Sequence, residues 1–196
     1  AGFFMKTFKV FVPVFIFLVI AAAFTAPDIT SAESISDKVL RLHILANSDS
    51  AEDQNIKLGL KNYFLDNTKE LFCGKTIEEN IAIAQNNKTQ IENICNKYLM
   101  DYGKTAFVTV EKEFFKTRVY DDFTLPAGVY NSIKITIGEG KGHNWWCIVF
   151  PSVCLNSCSE AMSEYLTDDE MKLVTSGYTP KFKIIEIYEE IKDRLE

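Results

Sequence analysis

The sequence predicts an α+β fold: a mixed or largely antiparallel sheet packed against helices, after an N-terminal signal or anchor segment. Three features point there. An almost unbroken apolar run, VLRLHIL (Val39–Leu45), reads as a strand covered on both faces. After Gly103 the apolar period shifts from that of a helix to that of a strand. Capping signals open helices on both sides of this strand-rich middle. The order strand, helices, several strands, helices segregates the element types along the chain, as an α+β domain does. With 196 residues, 47% of them hydrophobic, the chain can bury one sizeable core, and no repeat divides it.

Residues 1–32 read as an export signal. Lys6 and Lys9 precede VFVPVFIFLVIAAAF (Val10–Phe24), an apolar run interrupted by Pro13, and the small residues Thr30, Ser31 and Ala32 follow. The run is shorter than the ~20 residues of a typical membrane-spanning helix, and a positive flank, apolar centre and small-residue exit describe a secretory signal. Met5 reads as its start. An uncleaved anchor is the alternative, and the mass of the mature product distinguishes the two. Residues 33–196 are expected to form a single globular domain.

Its elements follow in order. Val39–Leu45 is expected as a central strand. Ser50 and Asp53 have capping-box spacing, and Asp49, Glu52 and Asp53 favour the positive end of a helix. That helix should run to about Phe72 with Ile56, Leu60, Tyr63 and Phe64 on one face. Thr76 and Glu79 cap a second helix. Ile77, Ile81, Ala84, Ile91, Cys95 and Tyr98 then recur at helical spacing with Lys88 in the one gap, so a single long helix is expected to end at Gly103. AFVTVEKEFF (Ala106–Phe115) alternates as a strand. A Pro-Ala-Gly turn leads into another strand, with Val129, Ile133, Ile135 and Ile137 on one face and Ser132, Lys134 and Thr136 on the other. Gly138, Gly140 and Gly142 read as a glycine-rich hairpin, and Trp145–Phe150 as a buried strand. Thr167 and Glu170 cap a helix that Gly177 stops. Thr179-Pro180 starts the last, with Ile184, Tyr188, Ile191 and Leu195 on one side.

Composition and motif spacing exclude several function classes. The chain has 21 basic and 27 acidic residues, net −6, and no basic stripe, so no nucleic-acid partner is expected. Cys73, Cys95, Cys147, Cys154 and Cys158 are an odd set for an exported chain, and Cys147 with Cys154 is the candidate disulfide. The glycine run is followed by a strand, whereas phosphate-binding loops open a helix. His143, Cys147 and His43 lack the companion ligands of a zinc site, so no metal and no cofactor is expected. A Cys147 thiolate activated by His143 is disfavoured because WWCIVF is an apolar run that keeps a thiol neutral. The Gly-x-Ser-x-Gly motif is missing. Asp49, Glu52, Asp53, Asp121 and Asp122 sit where caps and turns want acids. What remains is recognition. Adjacent Trp145 and Trp146 face opposite sides of a strand, so one can fill the core while the other, with His143 and Asn144, presents a surface for protein contact.

Two stretches, LRLHILANSDSAEDQNIKL (Leu40–Leu58) and LPAGVYNSIKITIGEGKGHNWWCIVFPSVC (Leu125–Cys154), together resemble the stage II sporulation protein R family. The resemblance implies a secreted signalling protein, made in the forespore and exported into the space between the forespore and mother-cell membranes. There it would activate a membrane-embedded aspartic-type protease of the mother cell, which cleaves the sigma-E precursor. The protein itself would not be an enzyme, and it would meet the membrane only through its N-terminal segment. Family-typical residues carry over as His43, Asn47, Ser48, Asp49 and Asp53, and as Gly140, Gly142, His143, Asn144, Trp145, Trp146 and Cys147. Of these, His43, Asn47, Asp49, His143, Asn144, Trp145 and Trp146 are the candidate partner-binding residues. Both motifs meet at one end of the sheet if the first strand neighbours the last. Cys73, Cys95 and Cys158 are not part of the family pattern. The rival reading is a cell-wall (peptidoglycan) binding module or hydrolase, which predicts cosedimentation with purified wall or its turnover.

Overall fold

Along Leu40–Leu45, aliphatic side chains alternate with Arg41 and His43, so this strand, β1, needs cover on both faces. The computed structural model, which describes Val12, residues 25–151 and residues 162–195, supplies it. Downstream come β2 (Ala106–Phe115), β3 (Arg118–Val119), β4 (Thr124–Leu125), β5 (Gly128–Ile137) and β6 (Asn144–Phe150). Four strands form one mixed sheet in the order β2-β5-β1-β6, and β3 with β4 makes a separate ribbon. β1 is parallel to β5, with Leu42 opposite Ile133, and antiparallel to β6, with His43 opposite Trp146.

The alternation sends Leu40, Leu42 and Ile44 into the main core. Residues 25–38 form α1, which lies on the other side. The main core is covered by α2 (Ala51–Thr68), α3 (Ile77–Asn86) and α4 (Lys88–Leu99), whose Leu60, Phe64, Ile91, Cys95 and Leu99 are fully buried. Ser50 and Thr76 cap α2 and α3 by accepting from the backbone N–H groups of Asp53 and Glu79. The single helix expected from Ile77 to Gly103 breaks at Asn87, whose φ of −104° and ψ of 13° leave the helical region. Its amide donates to the Ile83 carbonyl at 2.8 Å, and Lys88, the gap in the apolar series, opens the next helix.

The second face of the sheet carries Tyr130, Phe115 and Ile148, packed with Ala32 and Ile35 of α1, the β3–β4 ribbon, α5 (Asp168–Thr175) and α6 (Pro180–Asp193). Thr167 and Glu170 complete a reciprocal capping box at the start of α5. α6 turns a different side inward from the one its apolar spacing suggests. Phe182, Ile185 and Glu189 are buried, whereas Ile184, Tyr188, Ile191 and Leu195 are exposed. The helix is apolar on both sides, and packing of Phe182 and Ile185 on the second core decides between them. Ion pairs from Lys181 to Asp28 (3.1 Å) and from Lys192 to Glu33 (2.7 Å) tie it to α1.

On β5, Tyr130 and Ser132 are fully buried while Lys134 and Thr136 are half-buried. The second face is thus closed at one end and open at the end where β1 finishes. Along the side of β2 away from β5, α4 takes up backbone groups. Asn96 bonds both the N–H and the carbonyl of Ala106 (2.7 and 3.2 Å), and Glu92 accepts from Val108 N–H at 2.9 Å. The boundary expected at residue 32 falls inside α1, and most of the segment before it lies outside the described residues. Among the described residues no helix is long and apolar enough to cross a membrane.

Candidate functional site

β5 and β6 flank β1 instead of each other, so the Gly138–His143 loop is a bridge across the end of β1 and not the hairpin its glycines suggest. It packs directly on the chain leaving β1. Lys141 N–H donates to the Asn47 carbonyl (3.2 Å) and Gly142 N–H to that of Ala46 (2.9 Å). A Cβ at Gly142 would lie 2.2 Å from the Ser48 carbonyl oxygen; at Gly138, where φ is +54°, it would lie 2.2 Å from Asn47 Oδ1. Close approach therefore demands glycine at both positions.

The motif after β1 braces this bridge. Asn47 Oδ1 accepts from Glu139 N–H (3.1 Å), and its Nδ2 donates to Asp53 Oδ2 (2.8 Å), which also accepts from Ser48 Oγ (2.6 Å). Lys104 pairs with the other carboxylate oxygen at 2.9 Å. Hydrogen bonds from Ser48, Asn47 and Lys104 hold the Asp53 carboxyl well below the usual range in spite of its burial. Lys57, buried on α2, donates to the His143 carbonyl (2.9 Å) and to Gln54 (2.6 Å); burial pulls its pKa down, against the pull of Asp49. Asp49 accepts from the His143 backbone N–H at 2.6 Å and also pairs with its ring Nδ1. The imidazole is held at its base, yet the side chain is 77% exposed.

A second network lies on the open end of the sheet's other face. Carboxylates only accept, so His43 Nδ1–H donates to Glu113 (3.2 Å), while its Nε2 lies 3.0 Å from Asn144 Oδ1. The ring stacks on Trp146, with centroids 5.7 Å apart, and the Arg118 guanidinium sits 5.0 Å from the same indole. Lys134 pairs with Glu113 at 2.8 Å. Burial opposes ionisation of Glu113, but hydrogen bonds from His43 and Lys134 outweigh it and hold the carboxyl at about 2.

Of the expected partner-binding residues, Asn47, Asp49 and His143 therefore share the loop network, and His43, Asn144 and Trp146 share the sheet-face network. Trp145 points to the opposite face, packed on the main core under Lys61 (5.2 Å). The two imidazoles do not hydrogen-bond to each other, and both indoles are half-buried, so neither is a flat exposed platform. Cys147 is disulfide-bonded, and Cys154 lies outside the described residues. Cys73 and Cys95 are free, with burial pushing the Cys95 thiol up to about 12. Among the described residues no group of three or more His, Cys, Asp or Glu is placed to hold a metal ion. Sequence reasoning missed Glu113, Arg118, Lys57 and Lys104 as parts of the site. Strand alternation could have placed Glu113, but nothing local announces Lys104.

What the residues build is a supported surface: a partly buried polar lattice bracing a loop, with imidazole, amide and indole at its outer end. Comparison with known proteins supplies the class, that of the sporulation proteins. The family model described as stage II sporulation protein R matches residues 36–160, a span that contains both networks. Stage II sporulation protein R of Bacillus subtilis (strain 168) is 31% identical over 186 residues, covering 88% of this chain and 81% of that protein. The chain belongs to the stage II sporulation protein R family. No solved structure matches it.

Proposed function

We propose that the protein is an exported sporulation signal that activates a membrane-embedded aspartic-type protease of the mother cell, and so triggers processing of the sigma-E precursor. The observation that carries this reading is the braced loop. Both stretches that bear the family likeness converge on it, and they set His143, Asn144 and Trp146 at the end of the sheet that the second core leaves open. The chemistry suits a ligand better than a catalyst. Cys147 is in a disulfide and so offers no thiolate, and among the described residues neither imidazole is hydrogen-bonded to a serine, threonine or cysteine that it could activate as a nucleophile. A disulfide also suits an oxidising space outside the cytoplasm, here the gap between forespore and mother-cell membranes. Membrane contact is through the N-terminal segment alone.

Binding activates only if the protein prefers the protease's active arrangement, because an equilibrium moves by differential affinity and not by contact. Reconstitution of precursor processing from the purified chain and the membrane protease tests the proposal. Trp146→Ala and His143→Ala are expected to weaken processing while circular dichroism shows a folded chain. Binding of the unaltered chain to the protease with processing still at background would refute it.

A further inference from the structure

The open end of the second face holds a cavity of about 530 Å³, of the size that small-molecule and side-chain binding pockets have. Arg41, Phe115, Lys116, Arg118, Asn144 and Trp146 contribute its walls. Arg41 is fully buried, the largest side chain among the described residues to be so. Its Nη2 donates to Tyr120 Oη (2.9 Å), and its guanidinium lies over the rings of Phe115 (4.2 Å) and Tyr130 (5.0 Å). Nε and Nη1 are buried with no hydrogen-bond partner, and among the described residues no carboxylate forms an ion pair with Arg41. Aromatic faces compensate a buried cation only in part, and two unsatisfied charged donors are costly.

The surrounding charges say what is missing. Lys116 and Arg118 add positive potential at the cavity, while the acids of this region are Glu113, already engaged by His43 and Lys134, and Glu189, whose charge reaches Tyr130. We propose that this cavity binds a carboxylate carried on an aromatic or apolar stem. The carboxylate neutralises Arg41, with Lys116 and Arg118 assisting, and the stem lies against Trp146 and Phe115. A monoanion fits better than a phosphate monoester, because among the described residues the one buried guanidinium has no ion-pair partner, while the carboxylates of Glu113 and Glu189 repel a second negative charge nearby. The carboxylate comes either from an acidic segment of a protein or from a free organic acid; the chemistry at Arg41 is the same. The inference needs the cavity alone and does not depend on protease activation.

The test is a titration of the full-length ¹⁵N-labelled chain, kept in detergent, followed by the indole and arginine Nε resonances. The probes are phenylacetate, the blocked dipeptide N-acetyl-Phe-Glu-amide, and phenylacetamide as a neutral isostere. At least one acid is expected to shift the Trp146 indole and Arg41 Nε signals, with phenylacetamide roughly tenfold weaker for want of a charge-assisted hydrogen bond. Arg118→Ala, at the rim, should weaken the acid severalfold without unfolding the chain, and Arg41→Met should abolish the response. Tighter binding of the dipeptide assigns a protein segment as the source; equal or tighter binding of phenylacetate assigns a free acid. The proposal is overturned if neither acid moves these signals at ~10 mM, a level that detects even millimolar affinity. An equal response to the amide, or unchanged affinity in both variants, overturns it as well.

Discussion

At Gly142 an added methyl group would meet the Ser48 carbonyl oxygen at 2.2 Å, and the obstacle is backbone, which cannot swing aside. Gly142→Ala is therefore expected to lift the bridge from β1 and to cost about 2 kcal/mol, measured as a lower urea midpoint. Gly103, also at positive φ (61°) but with nothing near its Cβ, is the control, and Gly103→Ala should cost about 1 kcal/mol. Glu113 gives the pH dependence. Its carboxyl ionises at about 2 in the folded chain against 4.5 without these partners, so its contribution is complete above about 4.5 and is lost as pH falls toward about 2. Glu113→Gln should flatten the fall of the unfolding midpoint across that window, leaving the acid loss that Asp53, depressed in the same direction, still causes. At this scale the sequence was only partly legible. Asp49 and Asp53 read as cap acids because cap spacing is local. Asp53 does sit at a cap, but its carboxylate serves Asn47, Ser48 and Lys104, and the last of these is remote in the chain.

Elements were easiest to read where one period dominates. β1 is central and buried on both faces as its composition implies, and the capped starts of α2, α3 and α5 fall where Ser50, Thr76 and Thr167 stand. α6 misleads because PKFKIIEIYEEIKD carries two apolar stripes, and only tertiary packing chooses Phe182 and Ile185. The glycine loop misleads for a related reason: insertion of β1 between β5 and β6 is a long-range pairing that no local turn signal encodes. α1 bears on the export proposed above. Ala32 and Ile35 are fully buried in the second core, and Asp28 and Glu33 pair with α6. A chain starting at Glu33 is thus expected to melt several degrees below one starting at Thr25, and if the chain is exported as proposed, the mass of its mature form should place any cleavage before Thr25.

At the scale of the whole molecule, one sheet separates two cores and, among the described residues, part of one face is left uncovered, so the surface proposed for recognition and the carboxylate cavity occupy the same end. The opposite margin of the sheet is treated differently. Asn96 and Glu92 occupy the backbone groups of Ala106 and Val108, and farther along β2 Glu111 and Lys112 stand exposed. Asn96→Ala is expected to leave the circular dichroism spectrum unchanged but to produce concentration-dependent association in sedimentation velocity. A strand margin left bare is a template on which another copy can register. Two side chains from a single turn of α4 act as a stopper there, so protection of this one margin is carried inside the fold and does not depend on a partner arriving to shield it.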